Sequence, residues 1–254
     1  MDFEVSILPQ LSLAFILVFA RIGTMIMLMP AFGERTIPAQ FKLTFALMLS
    51  AVMLPLVASS FGDVPSSLFG LGFLVIGEIL TGGLVGMVAR LVMGALQVAG
   101  TVIAFQTGLA FAQNMDPTQG VQSALVGSFM SMLAVTLLFV MDFHYLLIAA
   151  MKDSYTLFAP GQMLPAGDFV KMAVDVVAGS FQVALQLSAP FIVFGLIFNL
   201  ALGLLSRLMP QLQVYFIAMP ANILIGFALF MVLMGSMMMW FLNYFEETMS
   251  HFLV

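Results

Sequence analysis

The sequence has no cysteine, only two histidines, and few charges: 7 Lys+Arg and 12 Asp+Glu in 254 residues. Without cysteine there is no disulfide framework, no thiolate nucleophile and no thiolate metal site, although the absence identifies no compartment. His144 and His251 stand far apart and lack metal-ligand spacing. No Ser/His/Asp set suggests itself, and no GxxxxGK[ST] phosphate cradle is present. Neither catalysis nor a cofactor is expected. The basic residues are scattered, with no basic stripe interleaved with aromatics, which excludes nucleic acid as a partner. Charged residues make up 7% of the chain, whereas soluble domains carry about 25%. A globule so poor in charge cannot wet its surface, so lipid, protein or both must cover it.

What the chain does have is long apolar runs; 63% of residues are hydrophobic. Charge-free stretches cover 43–62, 91–115, 117–141, 176–206 and 208–245, with weaker apolar runs near 7–32 and 68–90. About 20 apolar residues cross the hydrocarbon of a bilayer as a helix. Lipid-exposed backbone must pair within its own segment, and the runs lack the alternation of barrel strands. The expected fold is all-α: a polytopic helical membrane protein with six apolar segments arranged as hairpins with kinked helices. The spans are expected near 11–31, 43–61, 69–89, 121–141, 176–204 and 212–242. The acidic start, Met1-Asp2-Phe3-Glu4, and the length of the first run argue for a retained span rather than a cleaved signal. Residues 91–115 fit either one long bent helix over 69–112 or a tight hairpin. Asp116 and Pro117 read as N-cap and first helical residue of a fresh start, after a helix end at Asn114. The polar stretch 152–171, with Lys152, Asp153, Asp168 and Lys171, reads as the one sizeable loop. The chain is then a single integral domain, with a larger N-terminal helical part (1–151) and a C-terminal hairpin (172–254). Arg35 and Lys42 place the first loop on the cytoplasmic side.

Small residues recur every four positions on three lines: Glu78-Gly82-Gly86-Arg90-Gly94, Gly100-Ala104-Gly108-Ala112, and Gly195-Asn199-Gly203 leading to Arg207. Each step of four drifts only about 40° round a helix, so each line is one ridge. Glycine ridges let backbones approach closely, and Gly82, Gly86, Gly94, Gly100, Gly108, Gly195 and Gly203 are the expected helix-packing positions. Arg21, Glu78, Arg90 and Arg207 lie within apolar runs, where charges face protein or water and find a partner. A proton path would place several ionisable groups on one helix at short spacing, so pairing at helix contacts is preferred. Most of the 23 methionines are expected as core filler, with Met237-Met238-Met239 a candidate deformable apolar seal.

Three stretches together resemble the FliR family of flagellar export-gate subunits. They are Phe198 to Leu212 (FNLALGLLSRLMPQL) followed by Pro220, Gly108 to Pro117 (GLAFAQNMDP), and Arg21 through Pro30, Glu34-Arg35, Pro38 and Lys42. They occur in the family's order and span nearly the whole chain. Asp142-Phe143-His144 departs from the pattern, since many members carry a Gly-His pair there.

The resemblance implies a subunit of the bacterial type III protein-export gate. It implies FliP-like and FliQ-like partner subunits, together with FliB/FlhB-like and FlhA-like export components. Unfolded flagellar subunits would pass through the assembly, and the location would be the inner membrane at the flagellar basal body. It also implies that neighbouring subunits, more than lipid, cover the apolar surface, in keeping with kinks expected at Pro190, Pro210 and Pro220. An apolar plug would fall at 105–115, with Phe105, Gln106, Phe111, Gln113 and Met115 as pore or plug candidates. The equivalent subunit of a virulence secretion system is one competing reading. A small-solute transporter or channel is another, and would require inverted repeats and a midplane site.

Overall fold

The computed structural model describes residues 2–34, 37–61, 68–110, 125–161, 166–209 and 214–254. Their regular structure is entirely helical: α1 (Asp2–Leu28), α2 (Ala39–Val57), α3 (Leu68–Gln106), α4 (Leu125–Val140), α5 (Phe143–Leu157), α6 (Ala166–Leu208) and α7 (Val214–Ser250). The protein is a polytopic helical membrane protein. Among the described residues, five helical stretches are long and apolar enough to cross a bilayer: Gln10–Leu28, Ala39–Ser60, Phe69–Gln106, Phe169–Leu208 and Ala218–Ser250. The α4–α5 pair meets the same test as one broken span, bent by 79°, and brings the number to six.

The choice left open at 69–112 falls to one helix as far as Gln106, since α3 runs 39 residues without a break; residues 111–112 lie outside the described residues. The expected loop at 152–171 is corrected. Lys152 and Asp153 lie on α5 and Lys171 lies on α6, so among the described residues only 158–161 of that stretch fall outside a helix. Lys152 and Lys171 point outward from those helices, so a polar run marked a solvated helix face and not a break. For the same reason α7 continues past the expected end at 242, with Glu246 and Glu247 exposed on its surface. Pro190 and Pro220 sit inside α6 and α7. Arg35, Asn114, Asp116, Pro117 and Pro210 lie outside the described residues.

The chain forms two compact units that interleave in sequence, in place of the expected N-terminal and C-terminal parts. One comprises residues 1–92, 138–177 and 245–254. Its α1 buries a stripe at Ala14, Leu17, Val18, Arg21, Ile22, Met25, Ile26 and Met29, the three-and-four spacing of one helical face. Helix α1 packs on α2, and the stem of α2 carries Ala46, Ser50, Met53 and Val57 inward. The other unit comprises residues 93–137 and 178–244. Its core includes Leu96, Ala99 and Ile103 of α3, Met130 and Ala134 of α4, Ala184, Leu187 and Phe191 of α6, and Phe230 and Met237 of α7. Met237 and Met238 are buried while Met239 is exposed, which makes two of the three methionines core residues. Several buried hydroxyls return their hydrogen to the preceding turn, as Ser50 does to the Ala46 carbonyl (2.6 Å) and Ser188 to Ala184 (2.9 Å). Such bonds satisfy a polar group without leaving the helix.

The α4–α5 break turns on Asp142, whose φ of 61° and ψ of 15° lie in the left-handed region. Its N–H donates to the Phe139 carbonyl (3.3 Å), and its own carbonyl accepts from the Tyr145 N–H (3.0 Å). Left-handed backbone suits glycine, is tolerated by Asp and Asn, and penalises a β-branched residue by about 1–2 kcal/mol. Asp142→Val is therefore expected to lower the thermal midpoint in detergent, and Asp142→Gly to leave it unchanged or raised. Equal melting of the valine and glycine variants would show that the turn does not depend on this conformation.

Candidate functional site

The first unit is organised round a buried ion pair. Arg21 and Glu78 are 1% and 2% exposed. The Arg21 Nε donates to Glu78 Oε2 (2.5 Å) and Nη2 to Oε1 (2.9 Å), a bidentate fork. Nη1 donates to the Ser154 carbonyl (2.8 Å) and Nη2 also to the Phe158 carbonyl (3.0 Å), both at the end of α5. The guanidinium lies 4.2 Å from the centre of the Tyr155 ring, a cation–π contact. The glycine ridge of α3 makes this geometry possible. A Cβ at Gly82 would overlap the Arg21 carbonyl, and one at Gly86 would lie 2.8 Å from the Leu28 Cβ and 3.1 Å from the Met25 carbonyl. With side chains at 82 and 86, α3 would stand off from α1, and the fork would not close.

In the second unit the end of α3 is seated between α6 and α7. The Thr107 N–H donates to the Ile103 carbonyl (2.9 Å), and Gly108, with φ 75°, stops the helix. The Gln106 carboxamide presses against Gly195 of α6, where a Cβ would overlap its Oε1. The Thr107 side chain presses against Gly226 of α7, where a Cβ would lie 2.5 Å from its Cγ2. Asn222, one turn before Gly226, donates from Nδ2 to the Gln106 carbonyl (3.4 Å). Higher on α3, Gly100 meets the backbone of Gly127 on α4, and the Gln97 Nε2 donates to Ser131 Oγ (2.9 Å). An apolar cleft of about 740 Å³ adjoins the α3 end, lined by Leu109, Leu125, Phe129, Met132, Phe227 and Met231 among others.

The candidate residues thus separate. Arg21 joins Glu78, and Gly82, Gly86, Gly100, Gly108 and Gly195 stand at close contacts within the chain. Gly94 and Gly203 face open space among the described residues, and Arg90 and Arg207 are exposed. Phe105 is 62% exposed, whereas Gln106, expected at a pore, is engaged by α6 and α7. Phe111, Gln113 and Met115 lie outside the described residues. Sequence reasoning missed Tyr155, the Ser154 and Phe158 carbonyls, Gly127, Asn222 and Gly226. The Asn222–Gly226 spacing repeats the four-residue pattern of the other ridges and was legible; the carbonyls carried no signal.

Residues 12–248 match the family described as bacterial export proteins, family 1. The chain belongs to that family. Among its relatives in the bacterial export proteins is the flagellar biosynthetic protein FliR of Caulobacter vibrioides. It is 45% identical over 231 residues, which cover 91% of this chain and 92% of the relative. The flagellar biosynthetic protein FliR of Bacillus subtilis is 32% identical over 243 residues, covering 93% and 92%. That of Escherichia coli K12 is 33% identical over 217 residues, covering 84% and 81%.

Proposed function

We propose that this chain is a subunit of the flagellar type III protein-export gate, a structural and gating component without enzymatic activity. It acts in the inner membrane at the flagellar basal body, in complex with FliP-like and FliQ-like subunits and alongside FlhB-like and FlhA-like export components. Unfolded flagellar subunits are its cargo, and Phe105 with the following residues to 115 contributes to closing the passage. The flagellar relatives favour this branch over a virulence secretion system.

The observation that carries the reading is the length of the exposed apolar surface. Within its charge-free stretch 176–206, helix α6 presents outward Val177, Phe181, Leu185, Val193, Leu196, Leu200 and Leu204. At 1.5 Å per residue, Val177 to Leu204 covers about 40 Å of helix path. The hydrocarbon layer is about 30 Å thick, and spanning helices tilt by about 20° on average. At that tilt the apolar face overruns the lipid by about 8 Å, a length suited to cover by other protein. The open glycines at Gly94 and Gly203, and the exposed Arg90 and Arg207, are contact features suited to such neighbours.

Deleting the gene is expected to leave cells without filaments and with hook and filament subunits retained inside, both restored by the gene in trans. A mild-detergent pull-down of the tagged protein should bring FliP-like and FliQ-like proteins with it. Motile deletion cells, or a tagged protein that purifies alone from a motile strain, would overturn the reading.

A further inference from the structure

The last turn of α3 is held in a way that a moving part would not be. Three of its residues are seated on positions where a Cβ could not be tolerated or is strained: Gln106 on Gly195, Thr107 on Gly226, and Gly108 in left-handed backbone, where a Cβ would lie 3.1 Å from the Asn222 Nδ2. The Thr107 hydroxyl donates to the Ile103 carbonyl within its own helix (2.9 Å), so it offers no polar hold on a second arrangement. The helix-end carbonyl of Gln106 has no donor ahead of it in the helix and takes one from Asn222. Asn222 keeps its Oδ1 buried and without a partner among the described residues. An orphaned amide oxygen is unfavourable, and an apolar residue of similar size avoids it. The asparagine is thus explained by the one bond it makes.

We propose that Phe105–Gly108 is a fixed post that stays in place when the gate opens, with Asn222 as its positioning residue. The proposal rests on the export-gate reading above. It divides the α3 end from the rest of the passage: Gln106 anchors, and Phe105 alone of this turn projects outward.

Two variants test it in the assembled gate, in cells expressing the full chain. Asn222→Leu removes the donor while keeping the volume. It should raise potassium efflux from energised cells roughly five-fold, the ratio given by one lost hydrogen bond of about 1 kcal/mol, while FliP-like subunits still co-purify. Unchanged efflux at normal assembly overturns the proposal. The second variant uses the absence of native cysteine. In Gln106→Cys/Gly195→Cys the two Cβ positions lie 3.3 Å apart, close to the roughly 3.5–4.5 Å range of disulfides. Oxidation should cross-link the pair in high yield without changing export or efflux. A cross-link that blocks export reversibly shows that the turn moves, and no cross-link shows that it is not seated on α6; either overturns the proposal. If Asn222→Leu fails to assemble, the cross-link alone decides. Failure of the export-gate reading itself is recognised separately, by a motile deletion strain.

Discussion

Replacing Arg21 with leucine is expected to remove nearly all folded protein from the membrane. The substitution leaves the Glu78 carboxylate buried at 2% exposure with its two donors gone, and strips donors from the Ser154 and Phe158 carbonyls. Breaking a buried pair by removing one partner costs about 3–5 kcal/mol, a large part of the roughly 5–15 kcal/mol by which domains are stable. Arg21→Lys should fail as well. A lysine carries one ammonium on a flexible stem and cannot serve a bidentate carboxylate and two carbonyls at once, nor lie flat on Tyr155. Glu78→Gln should be milder, since a neutral amide still accepts from Nε while Arg21 keeps its two carbonyls. The double change Arg21→Met/Glu78→Leu separates net worth from the penalty of an orphan. It removes both charges together and should recover a good part of the lost protein. Fluorescence-detected size exclusion in mild detergent reads all four. Wild-type amounts of folded Arg21→Leu protein would show that the pair is not what joins α1, α3 and the end of α5.

That pair also shows what the sequence could and could not say. Arg21 and Glu78 were visible as charges inside apolar runs, and burial follows from the cost of exposing a charge to hydrocarbon. Their partnership was not visible, because it depends on how closely α1 and α3 approach, and that is set by Gly82 and Gly86. The ridge was legible as a ridge; which helix it met was not. Hydropathy read the helices well where they were apolar throughout and poorly at their ends. The loop expected at 152–171 fails because Lys152 and Lys171 are outward positions on helices, and a hydropathy run cannot tell a solvated face from a break. The same limit hid the last turns of α7 behind Glu246 and Glu247. At the α3 end, the stretch beginning at Gly108 drew attention to the right place, yet the residues that seat Gln106 and Thr107 beside it, Asn222 and Gly226, lie more than a hundred positions away.

Glycines that look alike in sequence should respond oppositely to the same substitution. Gly82→Leu forces a side chain into the Arg21 carbonyl, backbone against backbone, where no rotamer change gives relief. Overpacking costs about 1–3 kcal/mol even when neighbours can shift. Here the shift must also open the Arg21–Glu78 fork, so the cost should reach or exceed the top of that range, and the protein should be lost before it assembles. Gly203→Leu meets nothing within 4 Å among the described residues. On an exposed helix position leucine is favoured over glycine by up to about 1 kcal/mol, so the isolated chain should be as stable as wild type or more so. If a sister subunit closes over α6 at this point, as suits the overlong apolar face beside Leu200 and Leu204, the added side chain must hold it off. Association should then fall by at least about ten-fold, equivalent to about 1.4 kcal/mol. The expected pattern is therefore folded but unassembled protein for Gly203→Leu and no folded protein for Gly82→Leu. Detergent melting reads the first property and co-purification of FliP-like subunits the second. A Gly203→Leu chain that assembles and exports normally would mean that this face of α6 meets lipid, and that the neighbours suited to its length sit elsewhere on the helix.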